Sequence, residues 1–274
     1  MGSSEKKTSF KLPIVLALIG IIIVSIPLVS DIYETHKANE SIQVMSMAYE
    51  PLDDPARLKV LENAHSYNDR LAGIPNSSAI EPYEQQLVFN GITQMGWISI
   101  PAINVNLPVY HGTDEKTLTL GAGHLEGTSL PVGGPSTHSV ITGHSGLQNE
   151  RIFDDLRKLS EGDVFILHVL GEPYAYRIYS IETVWPYETD SLGIETGEDL
   201  CTLLTCTPYG INDHRLLVHG KRCEYLPEME KLTTADAISS YVNNRTVPFI
   251  AALGFLLVVL LAVILILRHG KRNH

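Results

Sequence analysis

The strongest constraint on the fold is a series of short β-compatible runs between residues 96 and 220. Residues 97–100, 107–110, 139–144, 164–169, 174–183, 200–206 and 216–220 are rich in apolar and β-branched side chains, and Pro, Gly, Asn and Asp separate them. Runs this short cannot bury a core singly, and their repeated spacing implies a mainly β domain, a sandwich or a barrel. A short helix is expected over 151–159, where Ile152, Leu156 and Leu159 fall on one face.

The flanks are of a different character. Residues 12–29 carry no charge and follow Lys6, Lys7 and Lys11; residues 247–267 are also uncharged and precede Arg268, Lys271 and Arg272. Each run is about as long as a bilayer core is thick, so two transmembrane helices are expected. Basic residues on the terminal side of both place the two termini in the cytoplasm and everything between outside the cell membrane. A cleaved signal peptide fits the first run less well, because the run is long and lacks a small-x-small site before Asp31. The expected plan is therefore a tail (1–11), a span (12–29), a helical spacer (30–95), a β domain (96–225), a linker (226–246), a span (247–267) and a tail (268–274). With 44% hydrophobic residues in 274, the chain can hold one sizeable domain plus these attachments. A net charge of −11 argues against nucleic acid, which requires clustered Lys and Arg.

One run ends on chemistry. Residues 200–206 read as a buried strand that stops at Cys206, because Pro208 cannot join a ladder. A strand end gives a side chain rigid support and access to solvent, both of which a nucleophile needs. Another run ends at Gly143-His144-Ser145-Gly146, a turn that would hold an imidazole, and Arg215 opens the run 216–218. Thiol, imidazole and guanidinium at three strand ends suit acyl transfer: nucleophile, acid/base, and a cation for the oxyanion. The competing reading makes Cys206 a small buried hydrophobe. Cys201 lies about 16 Å away along the strand, beyond the ~7 Å reach of a disulfide, and on its opposite face. The histidines show no metal-ligand spacing. Gly121-Ala122-Gly123 opens like a dinucleotide loop, but no helix pattern follows it.

At these residues the sequence resembles the sortases. Thr202 to Tyr209 (TLLTCTPY) is similar to their cysteine-bearing strand, Asn212 to Val218 (NDHRLLV) to their arginine segment, and Thr142 to Leu147 (TGHSGL) to their histidine segment. Gly121 to Gly134 (GAGHLEGTSLPVGG) extends the likeness, which covers roughly residues 64–222 and points to class C, the pilin-polymerising sortases. The resemblance implies a closed sortase-type β-barrel with Cys206, His144 and Arg215 as catalytic residues, and neither cofactor nor metal. The partners it implies are pilin subunits bearing a Leu-Pro-x-Thr-Gly-like sorting signal, joined through a thioacyl intermediate to a lysine. Anchoring single proteins to cell-wall peptide, or an inert membrane-tethered binding module, are the alternatives. Two departures stand out. Class C enzymes usually carry an Asp-Pro-aromatic lid; here Glu81-Pro82-Tyr83 takes that place, with the carboxylate expected near Arg215 and the ring over Cys206, while Asp54-Pro55 comes too early. Ser145 stands where arginine is more usual.

Overall fold

The computed structural model describes residues 11–50, 54–75, 79–145, 153–208, 210–231 and 254. The chain divides into two units, residues 1–33 with 238–274, and residues 34–237. Helix α1 (Lys11–Ala48) starts at the residue before the N-terminal apolar run and continues past residue 33 into the second unit. Among the described residues no helix is both long and apolar enough to cross a membrane. Most side chains of 12–29, and the whole second expected span 247–267 apart from Gly254, lie outside the described residues.

The second unit is a closed barrel of eight strands: β1 (Gly96–Ile100), β2 (Val105–His111), β3 (Ala122–His124), β4 (Thr137–Thr142), β5 (Val164–Val169), β6 (Glu172–Val184), β7 (Asp199–Thr207) and β8 (His214–Arg222). Their order around the barrel is β1-β2-β3-β4-β7-β8-β6-β5. The β2–β3 and β4–β7 pairs are parallel, and the rest are antiparallel. Closure leaves no sheet edge unpaired, which is how eight short strands become one stable unit. Alternation decides what each strand buries: on β7, Cys201 and Leu203 join Phe165, Tyr176 and Val218 in the core, so Thr202, Leu204 and Cys206 face outward.

Strand β3 is not among the expected runs, because Gly121 and Gly123 lower its β-propensity. The glycine is required by packing: a Cβ on Gly123 would lie 2.2 Å from the Gly112 carbonyl oxygen. The helix expected over 151–159 is instead a single 3-10 turn, Leu156–Lys158, with Phe153, Leu156 and Leu159 buried. Ile152 lies outside the described residues.

Helix α2 (Pro55–Leu71) begins at Asp54, whose carboxylate accepts from Ala56 N (2.8 Å). Asp54-Pro55 is thus a helix start with proline at the first turn. Two buried polar side chains dock α2 on the barrel. Arg57 donates to the Leu170 carbonyl (2.7 Å), and the Asn68 amide brackets Leu130 by donating to its carbonyl (3.0 Å) and accepting from its N–H (2.7 Å). Short helices α3 (Glu115–Leu120) and α4 (Glu228–Lys231) complete the described unit.

Candidate active site

The register of three strands aligns the expected catalytic residues. Cys206, the penultimate residue of β7, pairs across the antiparallel ladder with Arg215 on β8. On its other side β7 runs parallel with β4 up to Thr142 opposite Leu204. Continued by two residues, that register sets His144 beside Cys206. The row His144, Cys206, Arg215 therefore crosses neighbouring chains about 5 Å apart, on the outward face that alternation gives Cys206.

The turn that bears the imidazole is strapped to the strand that bears the thiol. Gly143 N donates to the Leu204 carbonyl (3.1 Å), and Thr205 Oγ1 donates to the Gly143 carbonyl (2.7 Å). Ser145 Oγ donates to the carbonyl of Cys206 itself. Both neighbours of His144 are thereby fixed to β7, and Phe153 N holds the His144 carbonyl (2.9 Å). The imidazole is mostly covered, with 17% of its side chain exposed, and Nε2 stands 3.5 Å from Glu115 Oε2 at the start of α3. That contact is an ion-pair distance without hydrogen-bond geometry, since Nε2 has no hydrogen-bond partner among the described residues. Such an imidazole is oriented yet unengaged, as an acid/base must be before substrate arrives.

Arg215 is half-buried and steadied by two carbonyls, donating from one guanidinium nitrogen to Asn212 O (3.2 Å) and His214 O (2.9 Å). Among the described residues the cation is aimed by backbone carbonyls, and no carboxylate pairs with it. Beside it, the His214 ring lies against Trp185 with centroids 4.0 Å apart, and its Nδ1 meets Asp213 Oδ1 (2.8 Å). The other cysteines differ in kind. Cys201 is wholly buried in the barrel, where desolvation, with Asp199 nearby, holds its thiol well above the usual range. Burial also raises Cys223. Cys206 is a half-exposed thiol that pairs with Arg215 across the ladder, on a strand to which the His144 turn is strapped. Among the described residues no group of three or more metal-ligating side chains converges.

A sortase-domain family model matches residues 98–223. The crystal structure of sortase C1 from Streptococcus agalactiae superposes with a TM-score of 0.63 at 42% identity, covering 68% of this chain and 100% of that one. The chain belongs to the class C sortases. The X-ray structure of Clostridium perfringens sortase C with the C-terminal cell wall sorting motif is also 42% identical, covers 69% of this chain and 100% of that one, and has a TM-score of 0.61. Sortase A of Streptococcus agalactiae serotype III (strain NEM316) is 23% identical over 228 residues, 82% of this chain and 87% of that protein. As a sortase, this protein is a cysteine transpeptidase.

Against that identity, two sequence departures acquire structural accounts. Ser145 is the strap on the Cys206 carbonyl, a role that no pattern of neighbouring residues signals. Glu115, facing His144 from α3, was equally invisible, because the contact spans residues far apart in sequence. The lid triplet is where the structure departs from expectation: it does not bring Tyr83 to the sortase thiol. Tyr83 is buried, and its hydroxyl reaches His124 Nδ1 (2.9 Å) while accepting from Gly112 N (3.0 Å). His124 shares its row with Ile141 and Leu203, three residues short of Cys206, or about 10 Å along the strands. Burial of the ring and these polar partners hold Tyr83 against β3. Glu81 is exposed, and its carbonyl accepts from Gln86 Nε2 (2.7 Å); Pro82 precedes the 3-10 turn Tyr83–Gln85.

Proposed function

We propose that this sortase assembles pilin subunits into isopeptide-linked fibres at the outer face of the cell membrane. The Cys206 thiolate attacks the threonine carbonyl of a Leu-Pro-x-Thr-Gly-like sorting signal. The carbonyl carbon bonds to sulfur, the Thr–Gly bond breaks, and His144 protonates the departing glycine amine, which could not leave as an anion. A lysine amine of the next subunit then attacks the thioester. His144 takes that amine's proton, the new amide forms, and sulfur leaves as thiolate. Arg215 donates to the oxyanion in both tetrahedral states, the kind of contact whose loss costs about 3 to 4 kcal/mol.

The observation that carries this reading is the single outward row of His144, Cys206 and Arg215 with the histidine turn strapped to the thiol strand. The sorting motif in the Clostridium perfringens sortase C structure supports the donor class, and similarity to the sortase C1 of GBS Pilus Island 1 supports a pilin acceptor. Helices over 12–29 and 247–267 anchor the enzyme in this reading, with both termini cytoplasmic. The test incubates the protein with a sorting-signal peptide and a lysine-bearing pilin domain, and weighs the products. An isopeptide adduct on a pilin lysine, with loss of the glycine-initiated tail, is expected. Hydrolysed peptide alone, or transfer only to a cell-wall peptide amine, would overturn the pilin assignment.

A further inference from the structure

Four residues before the thiol, on the same outward face of β7, Thr202 stands at the centre of a buried polar chain that transpeptidation does not use. His138 on β4 directs Nδ1 at the Gly193 carbonyl (2.8 Å) and Nε2 at Thr202 Oγ1 (2.7 Å). Thr202 Oγ1 in turn meets Nδ1 of His219 on β8 (2.8 Å), whose Nε2 faces Glu182 Oε1 on β6 (3.1 Å). His138, Thr202 and His219 are 1%, 0% and 4% exposed. Gly193 follows the 3-10 turn Asp190–Leu192 in the loop between β6 and β7, so the chain ties that loop across three strands.

Counting hydrogens fixes the chain's charge. Its two ends, a carbonyl and a carboxylate, only accept. The four contacts need four hydrogens, whereas Thr202 and two neutral imidazoles supply one each, leaving the chain one short. We infer that the chain holds one extra proton, as a histidinium facing Glu182, and that this proton latches the β6–β7 loop onto the face carrying Cys206.

The surroundings agree. A hydrogen bond from Ser191, and then His219 itself, holds the Glu182 carboxyl below its ordinary range, while burial pulls His138 down. The proton therefore belongs at the His219 end. The other groups on this face are Glu195 beside His138, Tyr179 with its ring 6.0 Å from that of His219, and the Lys221–Glu198 pair near Tyr179. When the proton passes to solvent, three hydrogens remain for four contacts. A bond to a carboxylate is about twice as strong as one between neutral groups, so His219 Nε2–H stays on Glu182. The remaining hydrogens shift one place, leaving the bare Nδ1 of His138 against the Gly193 carbonyl. The loop contact is the one that opens.

Glu182→Gln separates this from a merely structural chain. Glu182 is 38% exposed in its side chain, so the change is mild, and the new amide donates the missing hydrogen to neutral His219. Hydrogen exchange of residues 191–197 in the full-length protein, from pH 5.5 to 9, compares the two at each pH. Wild-type protection should fall about fivefold relative to E182Q as pH passes above the histidine range, the effect of one net hydrogen bond. Thr202→Val, which cuts the chain at its centre, should lose protection at every pH. Parallel profiles for wild type and E182Q, or ¹⁵N shifts showing both histidines neutral at pH 5.5, would overturn the inference. No substrate enters this measurement, so it succeeds or fails independently of the pilin assignment.

Discussion

At Cys206 the neighbouring residues determine what the thiol can do. Its half-exposed position on a supported strand favours reaction, whereas the desolvated Cys201 thiol resists ionisation. Iodoacetamide should therefore modify Cys206 far ahead of Cys201, as peptide mapping reads; matched rates would contradict the assignment. Arg215→Ala should lower kcat/KM for a sorting-signal peptide by about 10²–10³, the usual effect of losing an oxyanion donor. Ser145→Ala removes one strap and should reduce kcat by about fivefold to tenfold with KM little changed, since a net hydrogen bond is worth about 1 kcal/mol. The three proposed catalytic residues were legible because each stands at the end of a β-compatible run. Ser145 and Glu115 were not, since their roles are contacts across the fold with no local pattern to announce them.

Among the elements, the barrel wall has little spare volume. A Cβ on Gly220 would lie 2.6 Å from the Phe165 ring, inside the barrel. Gly220→Ala should cost about 1–3 kcal/mol by overpacking, measured as a fall in the denaturant midpoint at unchanged slope. The segment bearing Tyr83 supplies a pH prediction. His124 is fully buried, and desolvation first of all lowers its pKa from 6.5 to about 4. Its Nε2 donates to the Ser129 carbonyl (2.8 Å), so only while the ring is neutral can Nδ1 share the Tyr83 hydroxyl hydrogen with the His124 carbonyl. With the folded value depressed, the unfolded chain takes up the proton first. The contribution is complete above pH 6.5 and is lost as pH falls from there to about 4, amounting to about 3 kcal/mol. His124→Gln should flatten that part of the stability–pH curve; an unchanged acid limb would sink the claim. Seven strands could be read from alternation and turn residues. The eighth, β3, and the true place of Tyr83 could not, because both depend on what a neighbouring strand presents to them: a close carbonyl in one case, a buried imidazole in the other.

For the whole molecule, closure of the barrel converts sequence distance into proximity: residues 144, 206 and 215 become one row because β4 and β8 both flank β7. The parallel β4–β7 pairing that achieves this was not legible in the sequence, where nothing tells which strands neighbour which. Charge patterning at the ends speaks to topology alone. In the anchored reading, a tag at either terminus of the protein in intact cells should react with impermeant reagents only after permeabilisation, while the barrel is open to protease from outside; a tag labelled in intact cells would reverse the orientation. The central claim, that Cys206 carries the acyl group, is tested most directly by intact-mass and peptide mapping of the protein quenched during reaction with a sorting-signal peptide. The account predicts a hydroxylamine-labile adduct on Cys206, equal to the peptide less its glycine-initiated tail, and absent from Cys206→Ala. An adduct that persists in Cys206→Ala, or turnover with no adduct on this residue, would contradict it.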